Sequence, residues 1–177
     1  MKKILLSAGL ALAVFYSATD LAAKTPVLDK EGDLEMEYKQ FGNTYVLRLD
    51  KNADIPSVLK TFCKERKITL GSISGLGSLK SATLGFFDPK TKDYEEKTFD
   101  EPLEMASLVG NIAMKDGEPL LHLHTTIAGN DYEAYAGHMV KGIISLTAEI
   151  YITVINGRIE KTFDPATGLN RLDFKKK

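Results

Sequence analysis

The sequence predicts an α+β domain, with one main helix laid on a mostly antiparallel sheet. Three observations point there. Only residues 53–68 carry a clear helical period. Most of the rest alternates apolar and polar residues in short runs separated by turn residues. The longest alternation, residues 142–155, ends on Asn156-Gly157, a pair that favours a two-residue hairpin, so residues 158–163 are expected to return beside it.

Residues 24–36 read as a polar lead-in and residues 37–174 as the folded domain. "YKQFGNTYVLRLD" (38–50) reads as strand material, with Tyr45, Leu47 and Leu49 on one face and Val46 and Arg48 on the other. The helix follows. Asp54 is a plausible N-cap and Pro56 falls in the first turn, where a missing N–H costs little. Ile55, Val58, Leu59, Phe62 and Cys63 form one apolar stripe, while Lys60, Lys64 and Glu65 face water. Gly71, Gly75 and Gly77 read as a tight strand-to-strand passage; the phosphate-loop and dinucleotide patterns both fail there. "SATLGFF", "YEEKTF", "LEMASLVGNIA" and "LLHLHTTIA" are further strands, and "GNDYEAYAGH" is a loop.

In the long strand, Ile144, Leu146, Ala148, Ile150, Ile152 and Val154 make one apolar face. Ser145, Thr147, Glu149, Tyr151 and Thr153 make an amphiphilic one, fit for a cavity, a subunit contact or an ordinary outer face.

The chain has 177 residues, 44% hydrophobic and 27% charged, which suits one globular domain. Its N-terminus, "MKKILLSAGLALAVFYSATDLAAK", has a basic start, an apolar run and then small residues. That is the layout of a secretory signal peptide over residues 1–23, the alternative being an amphipathic or buried helix. The run falls short of the about 20 residues a membrane span needs. Export would place the protein in a periplasm or outside the cell. Cleavage after Ala23 removes Lys2, Lys3 and Asp20, taking 23 basic and 24 acidic residues to 21 and 23, a net charge of −2. Such a chain has no global attraction for a polyanion. Lys175–Lys177 form a short basic tail. The lone cysteine, Cys63, can form no internal disulfide, and its place on the helical stripe makes it a core residue.

All three histidines lie between Pro119 and Gly142. In a strand, side chains at i and i+2 point the same way, their α-carbons roughly 6.5 Å apart. His122 and His124 can thus converge before the sheet, while Leu121, Leu123 and Thr125 face away. A hairpin-like return would bring His138 towards them. Three imidazoles leaving an open position suit a divalent metal such as zinc; hydrogen-bonded histidines at a strand surface are the alternative. Glu149 could orient a ligand histidine, act as a general base, or pair with a cation. Arg48 and Glu104 read as members of structural ion pairs.

The segments "GSISGLGS", "LEMASLVGNIA", "GEPLLHLH", "AGHMVKG" and "TAEIYI" resemble, in sequence and order, the plants-and-prokaryotes conserved (PPC) domain over about residues 37–165. The resemblance implies a strongly bent antiparallel sheet, assembly as a homotrimer, and a fold related to acetolactate decarboxylase. It implies His122, His124 and His138 as metal ligands, with zinc (Zn2+) the metal held by that decarboxylase, and it puts Thr147 and Glu149 near the site or a subunit contact. A small-molecule ligand follows from such a site. The family's association with DNA binding is a further implication, although the chain lacks an arginine-glycine-arginine-proline hook.

Overall fold

The structure is a computed structural model that describes residues 27–28 and 34–175. The signal-peptide segment 1–23, much of the lead-in, Lys176 and Lys177 lie outside the described residues.

The elements are β1 (Val27–Leu28), β2 (Leu34–Phe41), β3 (Thr44–Asp50), α1 (Ile55–Glu65), β4 (Gly71–Asp88), β5 (Asp93–Phe99), β6 (Leu103–Lys115), β7 (Glu118–Ala128), β8 (Ala134–Val154), β9 (Glu160–Asp164) and β10 (Leu169–Asp173). They form one sheet ordered β1-β2-β3-β8-β4-β6-β9-β10, with β5 on β4 and β7 bridging β6 and β8. Every pairing is antiparallel except the short parallel contact of β6 with β9. Pairing runs in a closed circuit, β4 to β6 to β7 to β8 and back to β4. A flat ladder cannot close on itself, and register shifts at Gly75/Gly77, Leu79/Ser81 and Met105/Ser107 supply local bending.

The helix forms where its pattern predicts. Ile55, Val58, Leu59, Phe62 and Cys63 are all buried, and α1 packs against β7 and β8. Each large apolar side chain so buried stabilises the fold by about 1.5–3 kcal/mol. Asp54 precedes the helix in extended conformation, yet its carboxylate makes no cap bond to the helix backbone. It accepts instead from the Gly142 N–H (3.1 Å) and the Ser57 hydroxyl, tying the helix start to β8. At the other end, the Ile68 N–H donates to the Cys63 carbonyl, and Lys67 takes a positive φ. Cys63 is fully buried in the core, and burial pushes its thiol up to about 12.

Several expectations are corrected. Residues 38–50 are two strands joined at Gly42, whose φ of 57° allows the tight reversal. β2 begins at Leu34, inside the stretch read as lead-in, and Met36 is fully buried. Gly71–Gly77 is no passage between strands but the first half of the continuous β4. Its glycines serve close approach: a Cβ on Gly77 would stand 2.6 Å from the Thr147 carbonyl oxygen. Leu146, placed on the apolar face of β8, is 76% exposed, because the register shift between Gly77 and Leu79 turns it outward. β8 starts at Ala134, so its loop is shorter than expected.

The Asn156-Gly157 hairpin also fails. Residues 148–153 of β8 already pair with β3 on one edge and β4 on the other. No edge is free, so β9 crosses to β6, where Glu160 sits beside Met114 and the Met114 N–H donates to the Ile159 carbonyl (2.9 Å). No helix among the described residues is long and apolar enough to cross a membrane.

Candidate metal centre

β7 alternates as its sequence requires. Leu123, Thr125 and Ile127 are buried, and the Thr125 hydroxyl donates to the Ser107 carbonyl (2.8 Å). His122 and His124 therefore point to the opposite, solvent side, their Nε2 atoms 3.2 Å apart. The chain turns at Gly129–Glu133 and returns as β8, which sets His138 directly opposite His124 in the ladder. One ligating nitrogen from each of the three lies within 4.8 Å of the others. The ring centroids are 5.0 to 5.6 Å apart.

This donor set fits a small divalent ion. Zinc–imidazole bonds of about 2.0–2.1 Å in a tetrahedron put two ligand nitrogens about 3.3–3.4 Å apart, close to the His122–His124 separation. His138 Nδ1 is buried with no hydrogen-bond partner, and an orphaned polar atom of this kind costs about 1–3 kcal/mol unless something occupies it. Two of the rings, His122 and His138, favour the neutral, ligating form. Loss of water around His122 lowers it to about 4, assisted by the positive charges of Lys161, His138 and His124. His138 is lowered for the same reason, with His124 and Lys161 adding to it.

Sequence reasoning missed the surroundings of this cluster. The Tyr94 ring packs on His138 at 5.2 Å. Asn111, beside His122 in the β6–β7 ladder, has a buried and unpartnered Oδ1. Lys161 is only 6% exposed, and burial lowers its ammonium below the usual lysine range. Lys161 has no hydrogen bond or ion pair among the described residues. In "RIEKTF" nothing marks it, and the expected hairpin would have laid that segment along β8.

The remaining residues singled out from the sequence lie elsewhere. Glu149 is exposed on β8 between Arg48 of β3 and Leu76 of β4. It lies on β8 as His138 does, eleven residues further along the strand. No hydrogen bond or ion pair among the described residues joins it to a histidine. Arg48 pairs with Glu37 and Asp50, each at 3.2 Å, as a structural residue would. Glu104, expected in a similar pair, is exposed and has no ion pair among the described residues. Tyr135 packs on Phe99 at 4.8 Å, beneath the Lys97 ammonium.

Residues 36–156 match the profile of the Plants and Prokaryotes Conserved (PCC) domain, the family written PPC above. The chain belongs to this family.

Solved structures of PPC-like proteins share its fold. A candidate DNA-binding protein from Bacteroides thetaiotaomicron is 40% identical, with a TM-score of 0.78 over 80% of this chain and 99% of its own. A metal-containing protein from Archaeoglobus fulgidus is 35% identical, with a TM-score of 0.70 over 77% of this chain and 96% of its own. A plant- and prokaryote-conserved protein from Pyrococcus horikoshii is 30% identical, with a TM-score of 0.70 over 78% and 96%. Acetolactate decarboxylase from Bacillus subtilis aligns with a TM-score of 0.49, too remote a likeness to bear on function. A search of curated protein sequences gave no match.

Proposed function

We propose that this PPC domain holds a divalent metal, zinc in the first place, on His122, His124 and His138, and presents its open position to a small molecule. The meeting of three imidazole nitrogens within 4.8 Å carries this reading. The metal-containing relative from Archaeoglobus fulgidus supports it. A bound ion of this kind supplies Lewis acidity to a carbonyl, or acidifies a water. The chain's part is to keep three neutral rings converged and to leave one coordination position open.

The same reading takes the protein as exported, on the layout of residues 1–23, and as a homotrimer. Val109, Tyr151 and Leu76 are each about half exposed on the sheet face that also carries the histidines. Exposed apolar side chains gathered on one face suit a subunit contact. Assembly also gives Glu149 its role as proton carrier, since only a neighbouring copy can bring it to the rings.

Elemental analysis of untagged protein tests the reading. One zinc per chain is expected, and none in the double variant His122→Ala/His124→Ala. A wild-type chain that stays metal-free after repletion at neutral pH removes it.

A second reading, DNA binding, is favoured by the description of the Bacteroides relative. It requires association with duplex DNA that weakens steeply with salt. No binding at low salt excludes it, and a chain with 23 basic and 24 acidic residues gives it little electrostatic help.

A further inference from the structure

We infer that Lys161 makes this centre a receptor for a small oxyanion, a carboxylate or phosphate group held between the Lys161 ammonium and the metal's open position. The inference rests on the metal reading above and names its ligand class.

The charge at this centre is uncompensated. Three neutral imidazoles bring no negative charge to a divalent ion. No carboxylate joins the ring cluster among the described residues, and Glu149, eleven residues along β8 from His138, is not part of it. Lys161 then adds a further positive charge. It is 94% buried by its 6% exposure, and no acceptor or carboxylate partners it among the described residues. Its neighbour Glu160 is engaged by Arg158, whose Nε donates at 2.7 Å. Lys161 lies on the ring side of the sheet: Glu160 of β9 stands beside Met114 of β6, and alternation turns Lys161 to the opposite face, the one that carries Asn111 and, across the ladder, His122.

An ammonium on a largely buried side chain with no acceptor among the described residues carries a desolvation cost. Beside a cationic centre the cost is larger still. An oxyanion resolves both at once: it ligates the ion with one oxygen and accepts a charge-assisted hydrogen bond from Lys161 with another. The placement of β9 on β6, forced by the full edges of β8, is what puts Lys161 there.

The test uses the full chain loaded with cobalt(II), whose visible spectrum reports its ligands, together with calorimetry. The probes are acetate, methyl phosphate and neutral acetamide. Wild type is expected to bind acetate or methyl phosphate, the tighter one naming the group, and to bind acetamide at least tenfold more weakly. Lys161→Gln should keep one metal per chain and lose tenfold or more in anion affinity, while Lys161→Arg should stay within about threefold of wild type. Equal anion affinity in metal-loaded Lys161→Gln overturns the inference, as does a metal-loaded wild type that binds neither anion. A wild-type chain that takes up no metal overturns the metal reading itself, and this inference with it. Should Lys161→Gln not fold, the acetate–acetamide comparison and Lys161→Arg decide alone.

Discussion

His124 and His138 face each other as direct partners across the β7–β8 ladder, their ring centroids 5.6 Å apart. The third ligand is thus placed by backbone pairing and not by a loop. His138→Ala should lower zinc affinity by more than the about 10–100-fold seen when only an outer partner is lost. Its metal-free melting temperature should move little, since relief of the orphaned His138 Nδ1 opposes loss of the ring's packing on Tyr94. Competition with a chelating dye and a thermal melt check the two halves separately.

Gly110 holds β6 and β7 close enough for His122 to sit where it does. A Cβ at Gly110 would stand 2.5 Å from the His122 carbonyl oxygen and 2.7 Å from Leu123 Cδ2. Backbone cannot give way as a flexible side chain can, so Gly110→Ala should destabilise by about 1–3 kcal/mol. Because the clash falls on the ligand's own residue, zinc affinity should fall as well. Urea unfolding and the same dye competition measure both; unchanged values would mean that β7 shifts without cost.

The pairing of His122 with His124 was legible because a strand fixes the direction of alternate side chains, and His138 because a return strand was foreseeable. Lys161 was not. Its position follows from competition for edges: the Asn156-Gly157 turn signal is local, but β3 and β4 already flank β8 over residues 148–153. Leu146 misled for a related reason, since strict alternation assumes a ladder without bulges. The apolar stripe of α1 had no such competitor, and all five of its residues are buried.

Metal-free protein should lose stability in acid through these rings. His122 is lowered from 6.5 to about 4, chiefly by loss of water, and His138 is lowered too. In the unfolded chain both take up protons near pH 6.5. Between about pH 6.5 and pH 4 the unfolded state therefore binds more protons than the folded one, so stability rises with pH across that window and is level above it. The melting temperature should drop between pH 7 and pH 4.5, and drop less in His122→Asn/His138→Asn. Parallel curves for the two proteins would refute this account.

Leu76 is 55% exposed, Val109 53% and Tyr151 47%, and all three share the histidine face. Burying one such side chain is worth about 1.5–3 kcal/mol, and a threefold contact repeats that gain in each copy. Leu76→Lys sets a charge beside the Arg48–Glu149 row without touching the core. It should turn a trimer into monomer by sedimentation equilibrium while leaving the metal-free melt of the monomer unchanged within about 0.5 kcal/mol. If Glu149 serves the centre only across subunits, Leu76→Lys should keep its zinc, held by three ligands of one chain, and lose any turnover. A wild type that sediments as a monomer at all concentrations would sink both the trimer and the role of Glu149.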